Sequence, residues 1–341
     1  MTTRSRRRSP GSAGDSPRSA GPWALALRRL RHDRAALVFG ALFAAIVLAL
    51  LAAPLYASEV AHTTPAENHL TDTTVIDGKP TNVISLDGIP IGPTWQAEYF
   101  LGADANGRDL MVRLLYGARA SLTVGLGAVL LSLLLAIPLG IAAGYWRGRT
   151  DAIISRLFDL LWSFPALLFG ALLSTALTLH GVDVGPVEIG SGSKLIPIVV
   201  IGLVYVPYVA RPLRGQVLAL REQPFVEAAR ASGMRSSAVM GSELLPHVWG
   251  TLLVLATLLL VNAVALEVAL SFLGAGIDPP APSLGTLIAD GLDKAGASPH
   301  LLLAPSITLV LIVLSLSGLA EGLRRALDPH GALAVGMARA Q

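Results

Sequence analysis

Six stretches of the chain are apolar over lengths that suit a bilayer: Ala35–Tyr56, Leu122–Tyr145, Leu157–Leu179, Leu195–Ala210, Val248–Leu273 and Leu301–Leu319. A helix rising 1.5 Å per residue needs about 20 such residues to cross a hydrocarbon core roughly 30 Å thick. The pattern predicts an all-α polytopic membrane protein with six transmembrane helices. Polar segments separate the runs. Residues 1–34 form a basic tail, with a surface helix expected over 22–34. Residues 57–107 form a water-exposed loop, with short strands at Val75–Ile76 and Val83–Ile84. Residues 108–120 alternate Leu and Val with Arg108, Arg113 and Arg119, which predicts an amphipathic helix lying at the interface. The expected units are therefore 1–34, a first span over 35–56, an external segment 57–120, a five-helix core 121–321 and a tail 322–341. A secretory signal peptide is the rival reading of the first run. The run exceeds the 7–15 residues typical of a signal core, and five more follow it.

Composition agrees. Hydrophobic residues make up 53% of the 341 and charged residues 14%, against about 25% charged in ordinary soluble domains. With no cysteine, disulfides and thiolate chemistry are excluded. A net charge of +3 gives no case for a nucleic-acid partner. The distribution of charge says more. Of 26 Lys and Arg, Lys79, Arg108, Arg113, Arg119, Lys194 and Lys294 lie on one side of the expected topology, and the other 20 lie on the side with both termini. The positive-inside rule places both termini in the cytoplasm. The arginines at 108–119 fit this arrangement least well.

The cytoplasmic loop 211–247 reads as helical. Pro224 suits a first helical position, where its missing N–H costs nothing. Glu227 then falls in the first turn, where a carboxylate complements the helix dipole. Gly233 is placed to end the helix in a left-handed conformation. A helix of about nine residues results, followed by a second short helix stopped before Pro246. Periodicity alone leaves two readings equal: a docking element for a soluble partner, or a loop helix resting on the membrane.

Glu227-Ala228-Ala229, then Gly233, then Leu245-Pro246 resemble the E-A-A-x3-G signature of binding-protein-dependent ABC importer permeases. Leu101-Gly102-Ala103-Asp104 with Gly107-Arg108-Asp109, Arg113 through Arg119, Ala269 through Gly274 with Pro279-Pro280, and Leu323 through Pro329 are similar to the dipeptide/oligopeptide branch. Glu243, His247 and Ala103 depart from the usual residues. The resemblance implies a type I importer permease fold, with one N-terminal span plus a five-helix core, as the second permease subunit of a pair. It also implies the assembly. A second permease makes a heterodimer, two ABC ATPase subunits bind ATP and Mg, and an extracytoplasmic solute-binding protein delivers substrate at the bacterial cytoplasmic membrane. Pro224, Glu227, Ala228, Ala229, Gly233, Leu245 and Pro246 become the residues that couple to the ATPase. No cofactor is expected on this chain.

Glu267 and Asn262 lie within the fifth run. A charge at mid-bilayer costs about 2.5 kcal/mol or more, so Glu267 should face protein or water, as a pathway residue or as a structural carboxylate. Asn262 reads as a hydrogen-bonding link between helices, with a pathway residue as the alternative. Gly140, Gly144 and Ala136 share a small-residue spacing that permits close helix approach, and Pro138 predicts a kink. No phosphate-binding G-x-x-x-x-G-K-[ST] occurs, since Gly78-Lys79 runs into Pro80. No H-E-x-x-H occurs, and no histidine lies at a span centre. The chain therefore reads as a transport subunit rather than an enzyme, with no metal site. Di/oligopeptides are the expected cargo. Nickel or another small solute is the alternative within the class, and a stand-alone secondary transporter is the alternative outside it.

Overall fold

The computed structural model describes residues 28–76, 78–180, 182–184, 187–189 and 193–327. The basic tail expected over 1–20, the start of the 22–34 helix and the Asp328-Pro329 end lie outside these residues. Helix α1 (Arg34–Leu51) starts where the Asp33 carboxylate accepts N–H bonds from Ala35 and Ala36. The first run divides at Ala52, and α2 (Ala53–Glu59) follows with Pro54 in its first turn, the position where a missing N–H is harmless. A hairpin of β1 (Thr73–Ile76) and β2 (Lys79–Asn82) pairs Thr73 with Asn82 and Ile76 with Lys79. Val83 and Ile84 lie beyond it, and Ile84 makes an isolated bridge to Pro90.

Helix α3 (Leu110–Trp146) is 37 residues long, or about 55 Å, and remains continuous through Pro138. It overturns the expected interfacial helix over 108–120, and the boundary at 120/121 falls inside one helix. The reason is that two of the three arginines, Arg108 and Arg113, are not displayed at an interface, although Arg119 is exposed. Arg108 and Arg113 reach Asp104 at 2.7 and 3.1 Å, and Arg113 also donates to the Pro65 carbonyl and lies 3.8 Å from Asp290. Asp104, Arg108 and Arg113 are buried, so two of the charges that look interfacial in sequence belong to a buried ion cluster.

The third apolar run is not one straight span. Helix α4 (Gly148–Trp162) meets α5 (Ala166–His180) at a bend of 88°. Pro165 sits in the junction, where it lacks an N–H and clashes with the carbonyl four residues back. A second small hairpin, β3 (Val182–Val184) with β4 (Val187–Ile189), precedes α6 (Leu195–Val204). Helix α7 (Val206–Leu220) follows directly, so the fourth span runs past the expected end at Ala210. Arg211 and Arg214, which look like loop residues in sequence, pair with Asp159 at 2.6 Å and Asp151 at 2.5 Å on α4.

Helix α8 (Pro224–Ala231) leads to a 37-residue helical run, α9 (Ser236–Phe272). Its early segment Val239–Leu244 is a π-helix, in which the Leu245 N–H bonds back to Met240. The expected stop before Pro246 does not occur. The wider turn lets the chain pass the proline ring, and the helix continues from Leu245. Helix α10 (Leu284–Asp293) starts with a capping box between Ser283 and Thr286, and α11 (His300–Leu327) closes the bundle.

Among the described residues five helices are long and apolar enough to cross a membrane, and six if the bent pair α4–α5 is one span. Helix α3 lies at the centre against α6, α7 and α9, while α1 packs on α11. Small residues set these approaches. A Cβ on Gly140 would sit 2.8 Å from the Ala210 carbonyl, and one on Gly144 would sit 2.7 Å from the Val217 Cβ. The spaced glycines therefore place α3 directly on α7.

Candidate coupling site

Helix α8 is short because both its ends are specified locally. Pro224 occupies its first turn, and the Val226 N–H bonds to the Gln223 carbonyl at 3.0 Å. At the other end Gly233 has φ of 79°, its N–H bonds to the Arg230 carbonyl, and the Met234 N–H bonds to Ala229. These two bonds are a Schellman motif, which satisfies the last carbonyls and turns the chain away. The helix is 8 residues long, about 12 Å.

One face anchors it and the other is free. Val226 is fully buried, and the Phe225 ring stacks on His247 at 4.5 Å with 19° between planes. Arg230 lies over the Tyr145 ring at 4.7 Å, and its Nε donates to the Tyr145 hydroxyl at 3.3 Å. Just before the helix, Arg221 donates to the Tyr145 carbonyl at 2.7 Å and Arg147 pairs with Glu222 at 2.8 Å. The end of α3 thus holds α8 by several independent contacts. Pro224, Glu227, Ala228 and Ala231 are exposed on the outer side, while Ala229 is partly covered. Leu245 is half-buried and Pro246 exposed at the start of the long α9 segment. Sequence reasoning found the helix and its caps. It missed Tyr145, Arg147 and Arg221, which carry no local signal because their partners lie some 75 positions away.

A test of the cap follows from Gly233, which has open space where a Cβ would be. Only backbone strain then distinguishes substitutions. Gly233→Val should cost the turn about 1–2 kcal/mol and Gly233→Asn less, because asparagine tolerates the left-handed region. Trypsin cleavage at Arg230 and Arg235 measures it, and the valine variant should be cut faster than the asparagine variant.

Glu267 is fully buried. Its Oε1 accepts from the Ser271 hydroxyl at 2.7 Å, and the Ser271 oxygen accepts from the Ile277 N–H at 3.0 Å. Ser121 on α3 also faces the carboxyl, and its hydroxyl oxygen accepts from the Leu284 N–H at 3.2 Å. The carboxyl therefore ties α9 to α3 and to the segment entering α10. Glu267→Gln keeps an acceptor for Ser271. Glu267→Leu leaves that buried hydroxyl unpaired at a cost of about 1–3 kcal/mol. The leucine variant should melt below the glutamine variant, and equal midpoints would contradict this role. Asn262 differs from its expected part. Its side chain is exposed and bonds the Leu258 carbonyl of its own helix at 2.9 Å, so among the described residues it reaches no second helix. It is only its backbone carbonyl that accepts from another element, the Tyr205 hydroxyl at 3.3 Å.

Outside the spans, burial raises the Asp109 carboxyl pKa above its usual range, against the lowering effect of N–H bonds from Val112 and Tyr99. Among the described residues no group of three or more His, Asp or Glu is placed to hold a metal ion.

Known proteins resemble this arrangement throughout. Residues 136–330 match the family described as binding-protein-dependent transport system inner membrane component, and residues 21–72 match the N-terminal TM domain of oligopeptide transport permease C. The dipeptide transport system permease protein DppC of Alkalihalophilus pseudofirmus is 32% identical over 315 residues, 92% of each chain. The oligopeptide transport system permease protein OppC of Escherichia coli is 33% identical over 307 residues, 90% of this chain and 91% of that one. Among solved structures, the inward-facing MetNI methionine ABC transporter aligns with a TM-score of 0.50 at 18% identity, covering 64% of this chain and 98% of that one. That likeness bears on the fold alone, which is the type I ABC importer permease fold. On the family match and the near full-length relatives together, this chain belongs to the inner-membrane permease components of binding-protein-dependent transport systems.

Proposed function

We propose that the chain is the second permease subunit of an ABC importer for di- and oligopeptides in the bacterial cytoplasmic membrane. It pairs with a different permease, receives substrate from an extracytoplasmic binding protein and rests on two ATPase subunits that bind ATP and Mg. The chain itself binds no cofactor. Its termini and α8 face the cytoplasm, in keeping with the 20 basic residues on that side against six on the other.

The observation that carries this reading is the construction of α8. It is a short helix, started at Pro224 and closed by the Gly233 turn, bolted to the end of α3 and presenting Glu227 and Ala228 outward. Such an element is rigid enough to transmit a partner's displacement into α3 and α9, which a loop lying on lipid is not. Coupling then needs two arrangements of the bundle that ATP and substrate bias together.

The relatives named for peptide transport support peptides over nickel. The test is uptake by the complete transporter in proteoliposomes with ATP inside. A labelled tripeptide should accumulate only when ATP and the binding protein are present. Accumulation of nickel with no peptide uptake would overturn the substrate reading and leave the permease reading intact.

A further inference from the structure

Two of the spans are interrupted, and both interruptions border one cavity. The α4–α5 bend of 88° lies at 163–165, and the α6–α7 break lies at Tyr205, whose φ of −94° and ψ of 0° leave the helical region. Between them is a cavity of about 270 Å³ lined by Trp162, Phe164, Val204, Tyr205 and Tyr208, among others. Trp162 and Phe164 are 49% and 53% exposed. Tyr205 and Tyr208 meet edge-to-face at 6.1 Å. Arg211 lies 4.4 Å over the Trp162 ring and pairs with Asp159.

The depth of these groups decides what fills the space. Tyr205 is ten residues into the Leu195–Leu220 run, about 15 Å along it, and Asn262 is ten residues before the end of α9, again about 15 Å. Both sit near the middle of a core roughly 30 Å thick. Irregular backbone at that depth is tolerated only inside protein or along a water-filled cavity. The exposed Asn262 amide and the phenol of Tyr205, which already reaches the Asn262 carbonyl, are equally unsuited to lipid. Lipid is thus the wrong occupant. Aromatic faces with a few hydroxyl and amide groups suit peptide planes and apolar side chains, which stack and hydrogen-bond at once.

We propose that this cavity is a mid-membrane subsite of the transport path, where Trp162, Phe164, Tyr205 and Tyr208 grip the side chain of a passing peptide beside Asn262. The inference rests on the peptide-importer reading, yet its first test needs no substrate. The chain has no native cysteine, so each introduced thiol is the sole target on this subunit. In the complete transporter, Tyr208→Cys and Asn262→Cys should react with a charged, membrane-impermeant methanethiosulfonate in the nucleotide-free state and be protected after trapping with ATP and vanadate. Leu134→Cys, on an exposed apolar face of α3, should stay unreactive. If both test positions are as inert as 134 in every state, the subsite is overturned.

The second arm compares uptake of an aromatic and an alanine-only tripeptide. Trp162→Ala should shift their uptake ratio by about three- to tenfold, the effect of losing one aromatic contact. Affinity of the binding protein for either peptide should not change. An unchanged ratio overturns the gripping role. Nickel transport without peptide transport would instead sink the substrate reading while the thiol labelling still stood.

Discussion

Glu227→Lys is expected to leave the permease folded in the membrane but to lower ATP-driven uptake by at least about 30-fold. Truncating one partner of a desolvated, hydrogen-bonded charge pair at an interface typically costs about 2–5 kcal/mol, and reversal adds repulsion. The structure explains why folding is spared. Glu227 is exposed, makes no ion pair among the described residues and lies opposite the Val226 and Phe225 anchors. Placing a cation in the first turn of an eight-residue helix also opposes its dipole by about 0.3–1 kcal/mol, too little to unfold the protein. Co-purification with the ATPase subunit and uptake in proteoliposomes measure the effect together. Full ATPase retention with full uptake would remove Glu227 from the coupling contact.

Gly144→Val is expected to act in the opposite way, through the fold. A Cβ there would lie 2.7 Å from the Val217 Cβ and 2.8 Å from the Arg214 carbonyl, so one helix must move. Overpacking of this kind costs about 1–3 kcal/mol, and the upper end applies because a backbone carbonyl cannot yield as a side chain can. Displacing α7 also strains its polar seam with α4, where Arg214 grips Asp151 through two nitrogens. It disturbs the neighbouring Tyr145, which holds Arg221 and Arg230. Gly215→Ala on α7 is the control, since nothing lies within 4 Å of its would-be Cβ. There alanine should be neutral or stabilise by up to about 1 kcal/mol. Thermal midpoints in detergent and the monodisperse fraction after purification should separate the two variants clearly.

The helices were legible in sequence to the extent that their causes are local. Lipid demands a long apolar run for each crossing, and all six runs are visible on that ground. Helix α8 was legible from Pro224, Glu227 and Gly233, because a cap needs particular residues at particular places. The features that escaped reading depend on distant partners. Arg113 looks interfacial until Asp104 and Asp290 are seen beside it, and the second of these is 177 positions away. Arg211 and Arg214 look like loop residues until Asp159 and Asp151 fold against them. Pro165 announces an interruption but not a bend of 88°. The break at Tyr205 has a nearby proline, yet nothing in the chain says that it meets the α4–α5 bend around one cavity. Asn262 was legible only in part for a related reason. Composition shows that a span contains an amide, while only packing shows whether a second helix faces it.

The claim on which the account depends is that the outer face of α8 touches the nucleotide-hydrolysing subunit. It is tested most directly by placing a photoactivatable thiol-linked crosslinker on Ala228→Cys in the assembled transporter, with Ser58→Cys at the opposite end of the bundle as the reference. The account predicts an adduct between this chain and the ATPase from position 228 and none from position 58. No ATPase adduct from 228, with labelling of that thiol by an impermeant reagent added outside intact cells, would contradict it.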